Sequence, residues 1–113
     1  ISMNNWINEF NCAITFCDEK GTIVYMNDKA VKTFENDGGE KLIGTDILDC
    51  HPEPSKTTLK NLMDERKVNA YTIEKKGMKK LIYQSPTYSN GVYSGFIEFS
   101  LEIPFELPNF IRK

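Results

Sequence analysis

The chain has 113 residues, 40% of them apolar and 27% charged, with a formal charge of −2 at neutral pH. That length supports one core and buries about two thirds of the surface its unfolded state exposes, so a second domain is excluded and no covalent staple is required. The slight acidity gives no pull toward nucleic acid or an anionic membrane, and no apolar run reaches a membrane-spanning length.

Residues 1–10 place Met3, Trp6, Ile7 and Phe10 on one helical face, with Ser2 as the N-cap, and predict an amphipathic helix. Nothing local buries Trp6. The helix either lies back on its own sheet or packs on a second copy, which makes a homodimer one expectation. Ala13 to Cys17 and Ile23 to Met26 both show the two-residue period of a strand, and Asp18-Glu19-Lys20-Gly21 joins them as a tight hairpin. The second run stops at Asn27-Asp28, where either side chain can accept from a first helical turn carrying Ala30, Val31 and Phe34.

The polar stretch Glu35 to Gly39 ends that helix. Glu40 to Ile43 predicts one helical turn, and Thr45 or Asp46 caps another that holds Ile47 and Leu48. Cys50-His51-Pro52-Glu53-Pro54 forbids continued helix, and a new helix starts near Ser55 with the apolar stripe Leu59, Leu62 and Met63. Val68 to Glu74, Lys79 to Tyr88 and Tyr93 to Ile103 are predicted strands, separated by Lys75-Lys76-Gly77 and Ser89-Asn90-Gly91. Pro86 requires an edge, a bulge or a twist where it falls. The class is therefore α+β: a five-stranded antiparallel sheet with short helices inserted between strands 2 and 3.

Three cysteines, Cys12, Cys17 and Cys50, form an odd set without a CxxC pair, and His51 is the only histidine. Reduced thiols are expected, with neither a disulfide framework nor a structural zinc site. No acid-base pair, nucleophile motif or phosphate loop has credible spacing. The start carries no charged, apolar and small-residue leader, so a cytoplasmic location is expected, and Ile1 suggests a chain trimmed or cut from a longer one.

Three stretches, AITFCDEKGTIVYMNDKAVKTF, KLIGTDILDCHP and YSGFIEFSLEI, together resemble a PAS domain over residues 11–103. The Asp49-Cys50-His51-Pro52 stretch is similar to a subgroup found with hemerythrin-like domains in bacteria. The resemblance implies a non-enzymatic sensory module in bacterial signal transduction with a small-molecule pocket, acting through dimerisation or a signalling partner protein. On that reading the pocket is apolar and lined by Phe34, Ile43, Leu48, His51, Leu59, Leu62, Met63, Ile97 and Phe99. His51 either points into the pocket, as a haem ligand or a hydrogen-bond partner with Cys50 beside it, or caps the following helix or bonds a backbone carbonyl. Asn11-Cys12 resembles the start of the flavin-reactive motif but precedes the first strand, which argues against a flavin adduct. Residues 104–113 form an extended apolar tail whose prolines exclude a signalling helix and whose Phe105, Leu107, Phe110 and Ile111 are expected to pack on the domain or a partner. The alternatives are an interaction module with a filled core and no ligand, and an enzyme of similar shape with a carboxylate in a cavity.

Overall fold

A computed structural model describes residues 5–113, so the expected cap at Ser2 and the apolar Met3 lie outside the described residues. Helix α1 (Asn5–Asn8) is followed by strands β1 (Ala13–Asp18) and β2 (Ile23–Met26) and by helix α2 (Asp28–Thr33). Three 3-10 turns (Glu35–Asp37, Gly39–Leu42, Ile47–Cys50) lead to helix α3 (Ser55–Glu65). Strands β3 (Asn69–Lys75), β4 (Met78–Ser89) and β5 (Val92–Ile103) complete the chain's regular structure. The five strands make one antiparallel sheet in the order β2-β1-β5-β4-β3, with the helices between β2 and β3 as the sequence predicts.

The first hairpin closes as its residues dictate. Asp18 Oδ1 accepts from the amides of Lys20 at 2.9 Å and Thr22 at 3.0 Å, and the Gly21 amide donates to the Asp18 carbonyl at 3.0 Å. Beyond the turn the pairing shifts at Phe16 and Cys17, which pair with Tyr25 and Ile23, leaving Val24 as the extra residue of a bulge. Simple alternation fails there: Ile23 and Met26 are the buried residues of β2, and Val24 is exposed. Backbone bonds from Ile23 to Thr45, Gly44 to Ile23 and Ile47 to Gly21 then fasten the loop region to this hairpin.

The core gathers on one half of the sheet. Ala13, Cys17, Ile23, Met26 and Phe96 meet Ala30, Ile47 and Leu59 from the helical segments, and Val31, Phe34, Leu42, Leu48, Leu62 and Met63 pack around them. Cys17 stands opposite Phe96, Thr15 opposite Glu98 and Ala13 opposite Ser100, so the even-numbered residues of β5 face the helices. Glu98, Ser100 and Glu102 therefore point inward, whereas Ile97, Phe99 and Leu101 lie on the outer face. Tyr83 stacks on Phe99 there, with ring centroids 6.5 Å apart. Pro86 pairs with Phe96 on β4 beyond the last β3 partner, Gln84, so its missing donor falls on a free edge, next to a bulge at Thr87 and Tyr88.

The apolar groups of the tail stay largely exposed. Phe105, Leu107, Phe110 and Ile111 are all more than half exposed, and a hydrogen bond from Lys79 Nζ to the Phe105 carbonyl holds its start. Among the described residues no helix is long and apolar enough to cross a membrane.

Candidate functional site

The inner face of β3–β5 carries cross-strand rows set by the register. Asn69, Gln84 and Glu98 form one row, Tyr71, Ile82 and Ser100 the next, and Ile73, Lys80 and Glu102 a third. The first row is polar and internally bonded: Asn69 Nδ2 donates to Gln84 Oε1 at 3.1 Å, and Gln84 Nε2 donates to Glu98 Oε2 at 2.7 Å. Gln84 is buried, so this pairing removes a desolvation cost that an unbonded amide would carry. In the other two rows Ile82 and Ser100 are buried, whereas Tyr71 and Ile73 are exposed.

Between these rows and the α2 side lies an open cleft of about 440 Å3. Its roof comes from Lys29, Lys32 and Phe34, and one end is closed by Asp37 and His51. A volume of this size falls within the ordinary range for small-molecule sites. Lys29 Nζ approaches Glu102 Oε1 at 3.7 Å across the cleft, a half-exposed pair that contributes little to stability. Burial, with the Glu98 carboxylate second, pushes the Tyr71 hydroxyl up, so that group remains a donor at neutral pH.

His51 is fixed by the turn before it. Its Nδ1 lies 2.8 Å from the Ile47 carbonyl oxygen, and since a carbonyl only accepts, Nδ1 carries the proton and Nε2 is the ring's open position. The same carbonyl accepts from the Cys50 thiol at 3.2 Å. Burial and the carboxylates of Glu98, Asp37 and Asp49 push that thiol up and keep it protonated. His51 does not cap α3: the amide and hydroxyl of Thr57 are taken by Glu53 instead. His51 also borders an adjoining, more open hollow of about 500 Å3 with Leu42, Thr45 and Pro52.

A family model described as PAS domain matches residues 11–88. The chain belongs to the PAS domain family. No curated protein matches it in sequence. Its fold is similar to a C-terminal domain from Streptococcus mutans, with a TM-score of 0.72 and 18% identity over 88% of this chain and 81% of that one. It is also similar to the Aer2 receptor of Vibrio cholerae, described as a dual PAS-heme oxygen sensor, with a TM-score of 0.64 and 15% identity over 82% of this chain and 95% of that one. A sensory box sensor histidine kinase from Vibrio cholerae matches with a TM-score of 0.61 and 20% identity over 93% of this chain and 91% of that one.

In this PAS domain the nine residues expected to line one pocket are distributed over five places. Phe34 and His51 border the cleft. Leu59 is buried in the core and Leu62 packs against it. Leu48 and Met63 border a separate shallow groove beside Glu19, Lys60 and Tyr93. Ile43 is exposed after the second 3-10 turn, and Ile97 and Phe99 lie on the opposite face of the sheet, so none of these three lines the cleft. The reason is register: the apolar side of β5 faces away from the helices, and its Glu98, Ser100 and Glu102 side forms the cleft wall. Sequence reasoning also missed Tyr71, Ile73 and Ile82, although Tyr71 and Ile73 are two apolar residues two apart on an otherwise polar strand. Among the described residues no group of His, Cys, Asp and Glu side chains is gathered to hold a metal ion.

Proposed function

We propose that this PAS domain is a bacterial, cytoplasmic sensory module that binds a small molecule in the cleft between α2 and the inner face of β3–β5. The observation that carries this reading is a cleft of about 440 Å3 with uncovered Tyr71 and Ile73 on its floor and His51 at one end. A domain working only through a filled core would close such a space. Receptor and sensor kinase domains of the same fold support the signalling role. The free thiols of Cys12, Cys17 and Cys50 fit a reducing compartment. Output runs through self-association or a partner protein. The exposed Trp6 and Phe10, the outer sheet face and the apolar tail supply the contact surface.

Native mass spectrometry of protein purified from its own host tests the reading. A retained small molecule is expected, and a bare mass from gently purified protein favours the interaction module.

One observation favours a second reading, haem at His51. An imidazole whose Nδ1–H bonds a backbone carbonyl is oriented as metal-bound histidines usually are, with Nε2 available. The lysines along the cleft suit the propionates of such a group. Titrating the protein with haemin and recording its spectrum, alongside His51→Ala, decides the matter. A Soret band absent from both proteins, or present equally in both, removes His51 as an iron ligand.

A further inference from the structure

The cleft has a charge bias that the chain as a whole lacks. Five lysines border it against three carboxylates, although the formal charge of the chain is −2. Two of those carboxylates are already engaged, Glu102 by Lys29 at 3.7 Å and Glu98 by Gln84 at 2.7 Å. Asp37 stands at the His51 end. Lys32, Lys75, Lys76 and Lys80 make no ion pair among the described residues, although Lys80 has Glu102 as its cross-strand neighbour.

The strand lysines cluster at one end. Lys75 and Lys76 sit at the β3–β4 turn, Lys80 is one row inward, and Lys32 stands on the roof. Inward from them lie Ile73, Tyr71 and Ile82, an apolar floor that ends at the bonded row of Asn69, Gln84 and Glu98. Tyr71 to Lys75 covers about 13 Å of strand at roughly 3.3 Å per residue, long enough to seat an extended eight-carbon chain together with its head group.

We propose that the cleft takes a small amphipathic carboxylate, its apolar part on Tyr71, Ile73 and Ile82 and its anionic head among Lys32, Lys75 and Lys80. This rests on the ligand-binding reading above and adds the ligand's charge and polarity. Unpaired ammonium groups over an apolar surface favour an anion with an apolar body and reject a cation of the same shape.

Nitrogen-15 amide spectra of the full chain, titrated with octanoate, octanol and octyltrimethylammonium below their micellar concentrations, test the proposal. Octanoate is expected to move the amides of Tyr71, Ile73 and Ile82 and to bind at least tenfold more tightly than octanol. The trimethylammonium compound is expected not to bind. Lys32→Gln combined with Lys80→Gln should weaken octanoate at least fivefold, leave octanol unchanged, and reduce the salt dependence of octanoate binding. If octanol binds the same amides as tightly as octanoate, the charge assignment is overturned while a ligand cleft stands. Octanoate shifts confined to the outer face, at Phe99 and Leu101, overturn the location. If no octyl compound moves these amides, the proposal is wrong, and the mass measurement separately judges whether the domain binds any ligand.

Discussion

Ile14 and Asn27 bond each other twice: the Ile14 amide donates to Asn27 Oδ1 at 2.9 Å, and the Asn27 amide donates to the Ile14 carbonyl at 3.1 Å. The same Oδ1 accepts from Ala30 at 3.0 Å as the cap of α2, while Nδ2 donates to the carbonyls of Cys12 at 2.8 Å and Ile7 at 3.0 Å. One fully buried side chain thus joins β1, α2 and the end of α1. Asn27→Ala leaves two amides and two carbonyls without their partner, and the loss is expected to be about 3 kcal/mol or more. Asn27→Asp keeps the acceptor but turns both donor contacts into oxygen facing oxygen, so it should be similarly damaging. Urea unfolding of both variants checks this. An aspartate variant as stable as the native chain would show that only the cap matters.

Gly95 pairs with Asp18 and Thr87 and adopts a φ of +153°. A Cβ built there lies 2.0 Å from the Cys17 carbonyl oxygen, a backbone atom that cannot swing aside. Gly95→Ala should destabilise by about 3 kcal/mol or more, through strain and displacement of β5 from β1. A denaturation midpoint within experimental error of the native one would refute the close approach.

Burial raises the Cys17 thiol from its ordinary 9.0 to about 11, against a weak bond to the Phe96 carbonyl and in concert with Asp18 and Asp46. The folded form holds this proton more tightly than the unfolded form does. Its contribution is therefore complete below pH 9 and lost as pH climbs toward 11, a fall on the order of 2 kcal/mol. The tyrosines Tyr25, Tyr71 and Tyr93 are also raised, so the native chain should lose more than this. Thermal melts from pH 8 to 11 should show a smaller decline for Cys17→Ala than for the native chain; parallel declines would rule out the thiol as a contributor.

Trp6 is 64% exposed and meets Phe10 edge to face at 5.7 Å, while Asn8 accepts from the Tyr25 hydroxyl. The helix is thus tied to β2 by polar contacts and keeps its aromatic side open. Light scattering of the full chain is expected to give a dimer, and a chain beginning at Asn11 should shift toward monomer. Equal masses for the two would mean that this helix has no part in assembly.

Local chemistry carried most of the fold legible in the sequence. The turn of Asp18 and Gly21, a helix cap at Asn27 or Asp28, an interruption of the ladder at Pro86 and the Lys76-Gly77 and Asn90-Gly91 turns all follow from a few adjacent residues. The orientation of β5 did not. Alternation in Ile97, Phe99 and Leu101 reveals a period of two but not which side faces the helices, because that sign is fixed by pairing with β1, some eighty residues away. For His51 the sequence left open a pocket side chain or a bond to a backbone carbonyl, and the ring borders the cleft while its Nδ1 meets the Ile47 carbonyl. The charged character of the cleft was hidden, because each lysine alone reads as solvated surface.

The core cluster draws on β1, β2 and β5, and β3 is exposed along nearly its whole length, held through its ladder to β4. The sheet therefore has two tiers of opening free energy, close to the global value at β1 and far lower at β3. Any occupant of the cleft adds apolar contact at the weaker tier and raises by mass action the free energy of every opening that disrupts the cleft, that of β3 included. Occupancy would then be expressed as the fraction of time during which the β4 edge beneath β3 is free to pair with another strand.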